Sequence, residues 1–91
     1  MYSLLFTKKF LKDITKLKSN KNFKSENLEE VFIMLKSGDN IPEKYKNHKL
    51  HGSLSNTYDL HVQNDLLLLY EKDEEIRLIA LMRLGSHSEL F

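Results

Sequence analysis

The chain contains no cysteine, which excludes a disulfide framework and a thiolate metal site, so side-chain packing must hold the fold. Such a chain suits a reducing compartment. Its longest apolar runs, residues 66–70 among them, are far short of the roughly 20 residues that cross a bilayer. At the start of the chain the apolar residues 2–6 precede the lysines, the reverse of the order in a secretion signal. A cytoplasmic protein with no membrane partner is therefore expected. Proline occurs once, at Pro42, and no repeat or low-complexity stretch is present. With 91 residues and 41% hydrophobic side chains, there is too little apolar material to divide between two cores. A single domain over residues 1–91 is expected.

The net charge is only +1, but the charges are unevenly placed. Residues 1–24 carry seven lysines against Asp13 alone, a balance of +6, while residues 25–91 carry 7 basic and 12 acidic side chains, a balance of −5. Lys8, Lys9, Lys12 and Lys16 thus form a basic stripe on a nearly neutral molecule. The plain reading is a solvated helix face; the functional one is a surface for nucleic-acid phosphates or an acidic protein partner.

Residues 2–6 have strand-like composition, and Thr7 stands where a helix cap is expected. Phe10, Ile14 and Leu17 recur at helical spacing, which predicts an amphipathic helix over about residues 8–19. A second helix is predicted from Ser25, whose hydroxyl is placed to cap it, with Leu28, Val31, Phe32 and Leu35 on its apolar face and Gly38 as its stop. A polar loop follows. Beyond Gly52 the period becomes two, with Asp59, His61 and Gln63 on one strand face and Tyr58, Leu60 and Val62 on the other. Asn64-Asp65 then turns into a strand over residues 66–70, residues 72–75 form the next turn, and residues 76–83 form the last strand of a meander. The expected class is α+β: an N-terminal strand and a two-helix hairpin packed on an antiparallel sheet whose other face is free for a site.

The richest chemical grouping is His48, His51, His61, Asp65, Arg83 and His87, all outside the helices. Cutting RNA without a metal needs a base for the ribose 2′-OH, an acid for the leaving 5′-oxygen and a cation for the phosphate oxygens. Imidazole titrates near neutrality and can serve as base or acid, and arginine can clamp two oxygens. Each residue also has a plainer explanation. His61 sits on a polar strand face, Asp65 in a turn, Arg83 after an apolar strand, and His87 in a polar tail whose apolar close, Leu90-Phe91, implies docking. His48 and His51 are spaced like a metal pair, but no further ligand follows at suitable spacing, so neither a metal nor another cofactor is expected. The residues alone stop at a basic-helix domain with ribonuclease-type side chains.

Three segments take the reading further: Tyr45-Lys46-Asn47-His48-Lys49-Leu50-His51-Gly52, Asp59-Leu60-His61-Val62-Gln63-Asn64-Asp65-Leu66-Leu67-Leu68-Leu69-Tyr70, and Arg83-Leu84-Gly85-Ser86-His87-Ser88-Glu89-Leu90-Phe91. Together they resemble the YafQ branch of the RelE toxin superfamily, over nearly the whole chain. The resemblance implies a RelE/ParE-like, microbial-ribonuclease-like fold. It also implies an endoribonuclease toxin of a type II toxin–antitoxin system that cuts mRNA on the ribosome and is held inactive by a cognate antitoxin. It places the active site on His48, His61, Asp65, Arg83, His87 and Phe91, and leaves out His51, which falls at a variable position. The roles it implies are His87 as acid, His48 or His61 as base, Asp65 orienting or charging a histidine, Arg83 holding the scissile phosphate and Phe91 stacking on a base. Lys8, Lys9, Lys12, Lys16, Lys46 and Lys49 are the expected contacts to RNA or antitoxin.

The chain departs from that pattern just before Asp59. There Thr57-Tyr58 replace an aromatic and an arginine, and Ser55-Asn56 stand where a lysine is usual, so at least one cation facing RNA is missing. Two other readings stay open: a protein-binding inhibitor on the same scaffold, like the gyrase-poisoning ParE toxins, and an inactive antitoxin-binding module.

Overall fold

The structure is a computed structural model that describes residues 1–50 and 56–91; His51, set aside above, lies outside the described residues. The elements run β1 (Ser3–Phe6), α1 (Lys8–Leu17), α2 (Ser25–Ser37), a 3₁₀ turn (Glu43–Tyr45), β2 (His48–Lys49), β3 (Thr57–Gln63), β4 (Leu66–Asp73), β5 (Leu78–Gly85) and α3 (His87–Leu90). One five-stranded sheet has the order β1-β5-β4-β3-β2. The α+β class is as expected, but the sheet is mixed. β2 to β5 are antiparallel, whereas β1 lies parallel to β5, from Ser3 opposite Leu78 to Phe6 opposite Leu81. A parallel pair cannot close by a tight turn, and the helical hairpin is part of the crossover that it requires.

The predicted periodicities locate the core. Phe10 from α1 and Leu28, Val31 and Leu35 from α2 are buried against Leu60, Leu68, Tyr70, Ile79, Leu81 and Leu84 of the sheet. Each such side chain taken from water contributes about 1.5–3 kcal/mol. Thr7 caps α1 as expected, its Oγ1 accepting from the Phe10 N–H at 3.3 Å. Gly38 ends α2 in the left-handed conformation, with φ at 78°. A Cβ there would stand 3.1 Å from Cε1 of Tyr2, so close approach and backbone both select glycine.

Three expectations are corrected. Ser25 does not cap α2: the cap position is Lys24, without a side-chain cap. Instead the Lys24 N–H donates to Oε1 of Gln63 at 3.1 Å, Asn27 Nδ2 donates to the same oxygen at 3.2 Å, and Gln63 Nε2 donates to the Asn22 carbonyl at 2.7 Å. Gln63 does not follow the face of Asp59 and His61, because a bulge between His61 and Gln63 re-aims it toward the helical hairpin. The last turn is displaced by two residues. Asp73 ends β4 and its Oδ1 accepts from the N–H groups of Glu75 (3.0 Å) and Ile76 (3.3 Å), an Asx-type turn that starts β5 at Leu78.

Candidate active site

Strand alternation decides which side chains meet. Leu60, Leu68 and Leu84 are cross-strand partners in the core, so their sequence neighbours point to the face away from α1 and α2. One row on that face is His48 of β2, Asp59 of β3, Leu69 of β4 and Arg83 of β5, each partnered with the next; the adjacent row is His61, Leu67 and Gly85. Same-face rows lie about 7 Å apart. Leu67 is 1% exposed although it stands outside the main core. It shares a face with Gly85, against which α3 folds: a Cβ on Gly85 would stand 3.0 Å from Glu89 Oε1 and 3.4 Å from Leu90 Cδ2. Glycine is what lets the tail return over the sheet.

That tail is an ordered structure rather than a polar end. Ser86 caps α3, its Oγ accepting from the Glu89 N–H at 3.3 Å, while the Glu89 carboxylate accepts from the Ser86 N–H at 2.8 Å, a reciprocal capping box. The hydrogen bond from the Ser86 N–H, with a further contribution from the Ser86 side chain, holds the Glu89 carboxyl below its usual pKa. Asp65 Oδ1 accepts from the His87 backbone N–H at 3.2 Å. Asp65 therefore contacts the main chain of His87, linking the β3–β4 turn to α3. The His87 imidazole is exposed and packs on Phe91, with ring centroids 5.1 Å apart.

His48 stands at the other end of the row. Its Nδ1 lies 3.6 Å from Asp59 Oδ1, too far for a hydrogen bond. That oxygen is buried with no hydrogen-bond partner among the described residues. An orphaned acceptor costs about 1–3 kcal/mol, and the His48 ring is the side chain that faces it. The residue before His48 is anchored: Tyr70 donates its hydroxyl to Asn47 Oδ1 at 2.6 Å. Burial of Tyr70 pushes its pKa up, which keeps the hydroxyl a donor.

Arg83 has a partner that sequence reasoning missed. β1 pairs with β5 only as far as Leu81, and α1 covers the strand edge beyond it. Thr7 Oγ1 donates to the Leu81 carbonyl at 2.6 Å, and Asp13 accepts from the Leu84 N–H at 2.8 Å, from Arg83 Nε at 2.8 Å and from Arg83 Nη2 at 3.3 Å. The clue was available: Asp13 is the sole acid among seven lysines and lies three residues after Phe10, on the apolar stripe of α1. Burial raises the Asp13 pKa, but the hydrogen bonds from Arg83 and Leu84 and the charges of Arg83 and Lys16 outweigh it, leaving the carboxyl below its ordinary value. The Arg83 pKa is raised by the same contact.

A pH dependence follows from Asp13. A carboxyl whose pKa is depressed by folding stabilises the fold above its unfolded pKa, about 3.9, and that contribution is lost as pH falls through the folded value. Thermal melts should show wild type above Asp13→Asn at pH 7, with the gap shrinking below about pH 4. A gap that is constant or grows on acidification would contradict the pairing.

The remaining predicted residues are placed as follows. His61 and Asp65 line an open cleft of about 960 Å³ between the α1–α2 turn and the β3–β4 turn, together with Lys46, Ser86 and Glu89. His48, Arg83, His87 and Phe91 are outside that cleft, so the volume itself does not define the chemistry. Lys46 has φ 47° at the end of the 3₁₀ turn, and Lys8, Lys9, Lys12, Lys16 and Lys49 are all exposed. Thr57 is buried, and Tyr58 stacks on Tyr70 at 5.3 Å, so these two departures from the family pattern serve packing. Among the described residues, no three of His, Cys, Asp or Glu are grouped to hold a metal ion, and no helix is long and apolar enough to cross a membrane.

Helices on one sheet face, and a row of ionisable side chains with a folded-back tail on the other, define a RelE-like toxin fold. The family model for the bacterial toxin of type II toxin–antitoxin systems, YafQ, matches residues 2–91, and the chain belongs to that family. Over 51 residues it is 37% identical to the mRNA interferase toxin YafQ of Escherichia coli (strain K12), a match spanning 56% of this chain and 53%, about half, of that protein's length. A metal-bound toxin from Helicobacter pylori is 38% identical with a TM-score of 0.90, and each chain is covered in full. The E. coli DinJ–YafQ complex matches at 25% identity and a TM-score of 0.87, covering 100% of this chain and 99% of that one.

Proposed function

We propose that residues 1–91 act as a single cytoplasmic toxin domain, a ribosome-associated endoribonuclease that cleaves mRNA and is neutralised by a cognate antitoxin. The observation that carries this reading is the placement of His48, Asp59 and Arg83 along one sheet row, with His61 in the next row and His87 on a tail tied back to Asp65. The activity named for the E. coli relative and the antitoxin complex of E. coli YafQ agree with it.

The chemistry assigned to these groups is acid–base attack of the ribose 2′-OH on the adjacent phosphate. His48 is favoured over His61 as base, because the unpartnered Asp59 oxygen beside it would stabilise the imidazolium that forms. Arg83 gathers the charge on the phosphate oxygens, and His87, exposed and steadied through its backbone, protonates the leaving 5′-oxygen. Phe91, 58% exposed, offers a ring on which a base can stack. Among the described residues, the exposed lysines of α1, with Lys46 and Lys49, supply a sequence-independent attraction to RNA or to an acidic antitoxin segment.

The test adds purified protein to a reconstituted translation reaction programmed with a defined mRNA and maps new 5′ ends, beside a gyrase supercoiling assay. Discrete cuts in ribosome-bound mRNA with unaffected supercoiling are expected. Intact mRNA with blocked supercoiling would replace the nuclease by a protein-binding inhibitor, and no effect in either assay would leave only an antitoxin-binding module.

A further inference from the structure

We propose that Asp13 is a positioning residue of the nuclease site, its carboxylate holding one edge of the Arg83 guanidinium so that the opposite edge is aimed at the scissile phosphate. This rests on the reading of Arg83 as the phosphate-holding cation.

The two contacts with Asp13 use Nε–H and one N–H of Nη2. A guanidinium has five N–H donors in a rigid fork, so three are left, two of them on Nη1, which has no hydrogen-bond partner among the described residues. Two parallel bonds fix the plane of the fork as well as its distance, which a single contact cannot do. The carboxylate is itself immobilised, because the oxygen that meets Nε also accepts from the Leu84 N–H and the side chain is only 12% exposed, against 37% for that of Arg83. Asp13 sits in the middle of α1, whose first turn is pinned to β5 through Thr7 and whose Phe10 is fully buried. Arg83 lies beside the β-bulge at Leu69/Tyr70, an irregularity of the kind that re-aims a side chain relative to the regular ladder. A rigid helix outside the catalytic row thus supplies the orientation that the strand alone does not. It also accounts for an acid on a helix face otherwise given to lysine and apolar residues.

The experiment measures mRNA cleavage in the reconstituted translation reaction, varying the concentration of ribosome–mRNA complex, for wild type, Asp13→Asn, Arg83→Ala and the double variant. Asparagine can still accept from the Leu84 N–H but loses the charge that holds the guanidinium. Asp13→Asn is expected to lower kcat by about 10- to 10²-fold, with KM within about threefold and the shape of the pH–rate profile unchanged, since Asp13 transfers no proton. The double variant should be no slower than Arg83→Ala alone. By NMR, the Arg83 Nε–H resonance should be distinct and slow to exchange in wild type, and solvent-averaged in Asp13→Asn.

Folded Asp13→Asn that cleaves within about twofold of wild type, or faster, overturns the proposal while Arg83→Ala stays inactive. Wild-type activity in Arg83→Ala removes the phosphate-holding role and the positioning role with it. Should Asp13→Asn not fold, Asp13→Glu, which keeps the charge but displaces it by a methylene, takes its place, and its cleavage must follow the Arg83 Nε–H signal; a solvent-averaged signal with undiminished cleavage, or a retained signal with lost cleavage, overturns the proposal equally.

Discussion

His87→Gln should reduce mRNA cleavage by about 10²–10⁴-fold in kcat, the range for removing a general acid, while the melting temperature moves by only a few degrees. The imidazole is exposed and packs on the Phe91 ring, which is itself 58% exposed. The contacts that build α3 run through backbone and other side chains: Asp65 to the His87 N–H, Ser86 to the Glu89 N–H, and Glu89 back to Ser86. None needs the imidazole. Glutamine can hydrogen-bond but cannot deliver a proton near neutral pH, so the loss should fall on the chemical step with little change in KM. Cleavage at wild-type rate by a folded His87→Gln protein would remove His87 from the mechanism, leaving its conformation as a tail-packing feature.

The second large effect is expected from Arg83→Ala, through two quantities at once. Removing a cation that meets developing charge on phosphate oxygens should lower kcat by about 10²–10³-fold. The same truncation strands the largely buried Asp13 carboxylate with only the Leu84 N–H, so the melting temperature should also fall, by an amount limited by solvent access to the pair. Adding Asp13→Asn to Arg83→Ala should then restore part of the stability and none of the activity, because a neutral amide is less costly to leave without its partner. Thermal melts beside cleavage rates on the same four proteins check both halves. If Arg83→Ala melts as wild type does, the ion pair carries no measurable stability; if it cleaves normally, the phosphate lies elsewhere.

What could be read before folding was governed by local rules. The 3.6-residue recurrence of Phe10, Ile14 and Leu17 and the alternation of Leu60 and Val62 with Asp59 and His61 placed α1 and β3, because amphipathic periodicity is a property of neighbouring residues. Thr7 as a cap and Gly38 as a stop were legible for the same reason. The misjudged features all depend on distant partners. Ser25 failed as a cap because the helix begins at Ser25 itself, and the N–H of the cap residue Lys24 is held by Gln63, 39 positions away. The β5 boundary shifted with the Asp73 turn, and β2 and α3 are too short to leave a periodic signal.

The site divides in the same way. Residue types and the family pattern were enough to nominate His48, His61, Asp65, Arg83, His87 and Phe91 as candidates, since imidazole, guanidinium and carboxylate carry their reactivity wherever they stand. The amino-acid order also determined the basic first helix and a cysteine-free core. Only the tertiary structure decided that Asp65 serves His87 through its main chain, that Asp59 faces His48, and that Asp13, counted in the sequence merely as one negative charge, grips Arg83 from 70 positions away. Partnership between side chains follows from strand register and helix docking, which arise from the burial of the whole core.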